Sequence, residues 1–91
     1  MKAIKIKMKP GRHYSQDLME IDAIYIDGCS TPGFFKKFTI YDYLKQYPGT
    51  IQVNIWPYPN LIPALSSQGE KYVRSTPNGS THDNLLNLPR E

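Results

Sequence analysis

Ninety-one residues, 40% of them apolar and 21% charged, stand near the lower size at which one hydrophobic core sustains a fold, so a single domain over 1–91 is expected. No apolar run approaches the ~18 residues of a membrane helix, and the lone Cys29 excludes an internal disulfide framework and fits a reducing, cytoplasmic setting. The net charge of +3 is modest for a dedicated nucleic-acid binder, which leaves binding of anions open without requiring it.

Lys2 to Lys9 alternates, with Ile4, Ile6 and Met8 on one face and Lys5, Lys7 and Lys9 on the other. This predicts a half-buried strand that Pro10-Gly11 ends. Met1-Lys2 leads straight into that alternation instead of an apolar run, so no signal peptide is expected. A second strand over Glu20 to Asp27 has Ile24 and Ile26 on one face and Ile21, Ala23 and Tyr25 on the other. Apolar residues on both faces call for two-sided cover, by a helix and a partner subunit or by loops. Homo-oligomerisation is a natural way for so short a chain to bury more surface. Residues 1–16 carry bases without an acid, and residues 17–27 carry Asp17, Glu20, Asp22 and Asp27 without a base. Adjacent strands of opposite sign would neutralise one another through cross-strand pairs of ~0.2–1 kcal/mol each; otherwise the lysines form an anion-attracting face.

Asp27 to Gly33 is dense in turn residues and reads as a loop whose end Phe34 and Phe35 anchor. Thr39 with Asp42 resembles a capping box, and Ile40, Tyr43, Leu44 and Tyr47 recur at helical spacing. A two-turn amphipathic helix is predicted, stopped by Pro48-Gly49, with Tyr41 and Lys45 on a solvent flank. Thr50 to Trp56 predicts a third strand with Ile51, Val53 and Ile55 inward and Trp56 outward. Pro57, Pro59 and Pro63 then exclude a central strand and favour an extended or turning path. Glu70 to Arg74 alternates as a last strand, Thr76-Pro77-Asn78-Gly79 supplies turn chemistry, and Asp83 or Thr81 caps a helical turn through Leu86 that Leu88-Pro89 stops. The expected fold is α+β: a small antiparallel sheet of three to four strands with one short amphipathic helix.

The run from Tyr72 to Pro89, with its Tyr-x-Arg-Ser strand end, Pro-Asn-Gly turn and Asn-Leu-x-x-Leu-Pro ending, resembles the C-terminal signature of a family of small, mostly bacterial and phage-borne proteins, domain of unknown function 3892. The resemblance covers Gly69 to Pro89 well and Glu20 to Thr50 as strand, loop and helix in the family's order; Trp56 to Pro63 looks like an addition. It implies a fold and no catalytic residue, since the family has no established activity.

Catalytic and metal signals are weak. His13, His82 and Cys29 have no metal-ligand spacing, no Gly-rich phosphate loop is present, and a Cys29–His pair has only the fact that such partners meet in space. A non-enzymatic chain without metal or cofactor is expected. Binding has more support: the seven tyrosines and Trp56 offer flat rings with polar tips, and beside Lys and Arg they suit nucleobases and phosphates.

Three readings follow. In the first, an oligomeric module holds an anionic nucleotide-type ligand. Arg74, Lys71 and the amides of Ser75, Thr76, Asn78 and Gly79 would grip phosphate, and Trp56 or Tyr58 would stack. A phage-borne family member would thereby sequester a host signalling nucleotide. The second reading is single-stranded nucleic acid held across a sheet face by Lys5, Lys7 and Lys9 with exposed aromatics. The third is a protein-interaction or structural module in which Trp56 to Pro59 forms a rigid apolar patch. If the C-terminal stretch is purely structural, Arg74 pairs with a carboxylate, Asn84 and Asn87 satisfy backbone groups, and Leu85, Leu86 and Leu88 close the core.

Overall fold

The computed structural model describes residues 1–76 and 83–91. Its central strand is β1 (Lys2–Met8), which pairs antiparallel with β2 (Ile21–Asp27) along one edge. Two short segments share the other edge. β4 (Gln52–Val53) runs parallel to Lys2 and Ala3, and further along the Ile6 N–H donates to the Pro89 carbonyl while its own carbonyl accepts from the Glu91 N–H, both at 2.9 Å. With β3 (Gly33–Lys36) paired to β2, the sheet order is β3-β2-β1-β4. β5 (Leu61–Leu65) and β6 (Lys71–Ser75) form a separate antiparallel pair, and α1 (Lys37–Gln46) follows β3 without a loop. The fold is α+β as expected, but the sheet is mixed where an antiparallel one was predicted, because the chain returns to β1 by way of the helix.

One core joins these parts. Ile6, Ile24 and Ile26 from the sheet, Ile40 and Leu44 from α1, Leu61 and Val73 from the β5–β6 pair and Leu85, Leu86 and Leu88 from the tail pack into a single cluster. Each such side chain contributes about 1.5–3 kcal/mol on full burial. The tail leucines close the core as the sequence predicts.

Two irregularities set which residues face inward. Between Ala3 and Lys5 the register slips, so that Ile4 is an extra residue on β1; between Lys7 and Met8 it slips again, with Asp22 extra on β2. A bulge of this kind resets the alternation. Ala3, not Ile4, is therefore buried with Ile6, and Lys2 joins Lys5 and Lys7 on the opposite face. Lys9 lies beyond the strand, 3.9 Å from Glu70, and so leaves the predicted trio. The expected charge pairing is realised only in part: Arg12 meets Glu20 at 3.6 Å, while Asp22 is taken by Lys36 at 2.8 Å and Lys5 by Glu91 at 3.1 Å.

The helix begins two residues before Thr39, and its N-cap residue, Lys36, makes no side-chain cap bond. Its first turn is fixed instead by Lys37, only 7% exposed, whose ammonium donates to the Met19 carbonyl at 2.9 Å and pairs with Glu70 at 2.8 Å. Asp42, expected in a capping box, accepts from Lys71 at 2.8 Å. The buried stripe is rotated from the predicted one, and Tyr41, expected on a solvent flank, joins it. Lys37, Ile40, Tyr41 and Leu44 face the core, while Tyr43 and Tyr47, predicted inward, are exposed and tilt against each other at 5.0 Å.

The predicted strand from Thr50 to Trp56 shortens to two residues because the Val53 N–H turns to the Pro59 carbonyl and the Ile55 N–H to the Val53 carbonyl. Ile51 and Val53 are buried and Trp56 points out, as the alternation predicts. Pro63 stands within β5 opposite Val73, which a two-stranded sheet permits because each strand keeps a free edge.

Candidate functional site

The β2 side of β1 and the resulting register define an open face. Cross-strand partners share a face, and those on this side are Lys2 with Asp27, Lys5 with Tyr25 and Phe34, and Lys7 with Ala23 and Lys36. The helix and the β5–β6 pair belong to the core on the other side. Ala23 is buried although it lies on the open face, and its register neighbours are the long stems of Lys7 and Lys36.

Rings and cations alternate across this face. Tyr25 and Phe34 meet edge to face at 5.2 Å, with the Lys5 ammonium 4.9 Å from the Tyr25 ring centre and 5.7 Å from that of Phe34. At the β4 side, the Lys2 ammonium stands 4.5 Å over Tyr58, and Tyr58 meets Trp56 edge to face at 5.9 Å. Trp56 is 79% exposed. In order across the strands the face reads Phe34, Tyr25, Lys5 and Lys2, Tyr58, Trp56.

The loop bearing the last two rings is tied down locally. Tyr58 has φ +61°, in the left-handed region that a side chain makes costly by about 1–2 kcal/mol, and its N–H donates to the Ile55 carbonyl at 2.6 Å. The Trp56–Pro57 peptide is cis. Asn60 closes the loop from behind, accepting from Gln52 Nε2 at 3.0 Å on its side chain and from the Thr76 N–H at 2.9 Å on its carbonyl.

The other residues predicted to hold a ligand are on β6 and its end. Lys71 donates to Asp42, which raises its pKa above the ordinary value, chiefly through that hydrogen bond. Ser75 donates both its N–H, at 3.0 Å, and its hydroxyl, at 2.9 Å, to the Asp83 carboxylate. The same carboxylate accepts from the Leu85 N–H at 2.9 Å and so caps the 3₁₀ turn Asn84–Asn87. Arg74 lies opposite Ile62 and has no carboxylate within salt-bridge distance among the described residues, so the expected pairing is not found. Asn78 and Gly79 lie outside the described residues. Asn84, expected to satisfy backbone groups, leaves its buried side-chain nitrogen without a partner among the described residues. The structure thus gathers Trp56 and Tyr58 with Lys2, and places Lys71, Ser75 and Thr76 in internal contacts. Lys2 was missed because only the bulge at Ile4 brings it to the side of Lys5 and Lys7, and Phe34 because it reads as a loop anchor where the structure pairs it with Tyr25.

A second concavity, of about 160 Å³, opens beside α1 and is lined by Met1, Ile26, Cys29, Phe35, Ile40 and Tyr43 among others. It is almost wholly apolar, and Cys29 Sγ faces the Ile26 carbonyl at 3.8 Å, the behaviour of a small packing residue. Among the described residues no three of His, Cys, Asp and Glu converge as a metal site would need, and no helix is long and apolar enough to cross a membrane.

No curated protein and no solved structure matches the chain. A family model does, and it reaches from the first buried residue of β1 to the proline whose carbonyl closes the edge of that strand. With residues 3–89 matched, the chain belongs to the protein family of unknown function DUF3892.

Proposed function

We propose that the chain is a non-enzymatic binding module that holds single-stranded nucleic acid on the open face of its four-stranded sheet. The observation that supports this reading is the register slip at Ile4, which puts Lys2 on the same face as Lys5 and Lys7, with Tyr25 and Phe34 beside Lys5. Flat rings stack on any base, at ~1–3 kcal/mol each, and lysines beside them neutralise the phosphates that follow. Such a face reads shape and charge and is tolerant of sequence.

A single-nucleotide pocket at the end of β6 has less support. An incoming phosphate would have to displace the Asp83 carboxylate from Ser75 and the Asp42 carboxylate from Lys71, whereas on the sheet face it would displace only the exposed Glu91 from Lys5. Both carboxylates are built into the fold, one as a helix cap and one on α1.

Fluorescence anisotropy of a labelled twelve-residue oligo-dT tests the proposal. Three lysines facing three phosphates give a slope of log K against log salt of about −2 for a single strand. Replacing Lys5 and Lys7 together by Ala should weaken binding roughly tenfold and flatten the slope to about −0.7. Absent binding at low salt, or binding indifferent to salt and to both lysines, overturns it.

A further inference from the structure

We infer that Trp56, Tyr58 and Lys2 form an end subsite of this face, taking one unpaired nucleobase on the Trp56 ring with its phosphate at the Lys2 ammonium. The inference rests on the nucleic-acid reading of the sheet face and adds where the strand ends and what length it needs.

Three observations support the occupant. The Tyr58 ring is already covered by Lys2 and meets Trp56 only edge to face, so Trp56, 79% exposed, presents the uncommitted ring of the cluster. The loop adds no negative charge against an anion: residues 46–69 contain no Asp or Glu, and the one acid paired in register with Lys2, Asp27, accepts from the Gly28 N–H at 2.9 Å. The loop is also ordered before any ligand arrives, through the Val53 to Pro59, Tyr58 to Ile55 and Thr76 to Asn60 hydrogen bonds. Little entropy is left to lose on binding.

Distance then sets the length. From β3 to β4 there are three strand spacings, about 14 Å, and Trp56 lies a further 5.9 Å from Tyr58. A mononucleotide reaches one end of this track only. Affinity should therefore rise with oligonucleotide length until both Phe34 and Trp56 are engaged, and then level.

The chain has a single tryptophan, so its emission reports this subsite alone. Oligo-dT of one to eight residues would be titrated against Trp56 emission in the native chain and in the Lys5→Ala/Lys7→Ala double variant, and by anisotropy in these two and in Trp56→Ala and Trp56→Phe. Quenching that sets in at about four residues is expected, together with a roughly tenfold loss for the longer oligonucleotides in Trp56→Ala, little loss for the shortest, and most of the affinity kept in Trp56→Phe. Lysine-dependent binding with unchanged emission and no effect of Trp56→Ala overturns the subsite and leaves the sheet-face reading standing. Quenching whose midpoint is unmoved in the double lysine variant supports the subsite and overturns the sheet face. No binding by either readout overturns both, and a change in sedimentation of Trp56→Ala without a change in nucleic-acid affinity assigns the ring to a contact between copies of the chain and overturns the subsite.

Discussion

The two faces of the four-stranded sheet are built from alternate residues of the same strands and present opposite surfaces. On the inner side Ala3, Ile6, Ile24 and Ile26 are at most 3% exposed and join the helix and tail in one core. On the outer side Lys5 stands beside Tyr25 and Phe34 and Lys2 over Tyr58, in contacts that are individually weak and open to water. Burial scales with area and cannot be re-used for a ligand, whereas an exposed ring with a cation beside it can exchange water for a base at small cost. Stability and binding should therefore separate by face.

Substitutions inside break the comparison most severely. Ile24→Ala removes a fully buried side chain and should lower the stability measured by urea unfolding by about 3 kcal/mol, within the range for such cavities. In a chain of this size that corresponds to a fall in Tm of more than about 10 °C. Affinity for oligo-dT, measured well below the new Tm, should stay within about twofold. A smaller loss, of about 2 kcal/mol, is expected for Asp83→Ala, which leaves the N–H groups of Ser75 and Leu85 without their acceptor and uncaps the last 3₁₀ turn. If Asp83→Ala instead raised affinity for mononucleotides, the vacated donors would be an anion site after all and the preference for the sheet face would fall.

Outside, the expected order reverses. Tyr25→Ala should change stability by only about 0.5–1 kcal/mol, since the ring is half-buried on a face with no second layer, yet weaken oligo-dT binding by roughly tenfold through loss of a stacking surface. Paired unfolding and anisotropy measurements on Ile24→Ala and Tyr25→Ala would show the two losses crossing. Parallel losses in both variants would mean that the faces are energetically coupled.

The sequence made the parts legible and the phase illegible. Alternation located β1 and β2, Asp83 was readable as a cap, and the tail leucines as core, because each signal is local. The open face was not, since Lys2, Lys5 and Lys7 share a side only when Ile4 is skipped, and an isolated strand gives no sign that its partner will skip it. The helix itself was legible, but its start and inward stripe were not: Thr39 and Asp42 mimic a capping box, whereas Lys37, bonded to Glu70 and Met19, begins the helix and Tyr43 is exposed. Pro63 reads as a strand breaker and forbids only the middle of a sheet, which β5 never occupies.

The smallest expected effect is a dependence on pH that belongs to neither face but to the ion pairs around them. Glu70 is held below its ordinary value of 4.5, first by the hydrogen bond from Lys37, and Asp22 below 3.8, first by that from Lys36. A carboxyl whose folded pKa is depressed lends stability that is fully present above the ordinary value and is lost as pH falls through the folded one. Lys71 is raised above 10.5 by Asp42, so its contribution is full below that value and is lost as pH rises through the higher folded one. Urea midpoints should therefore be level through neutral pH and decline below about pH 4.5. These groups are well exposed, so the decline should be shallow. Glu70→Gln should lower the neutral plateau slightly and flatten the acid limb, because it removes one of the carboxylates whose protonation drives it. Nucleic-acid binding should not depend on Glu70, which pairs with Lys9 and Lys37 and with none of Lys2, Lys5 and Lys7. An affinity that tracked Glu70 would tie the open face to the helix anchor and undo the separation of the two sides.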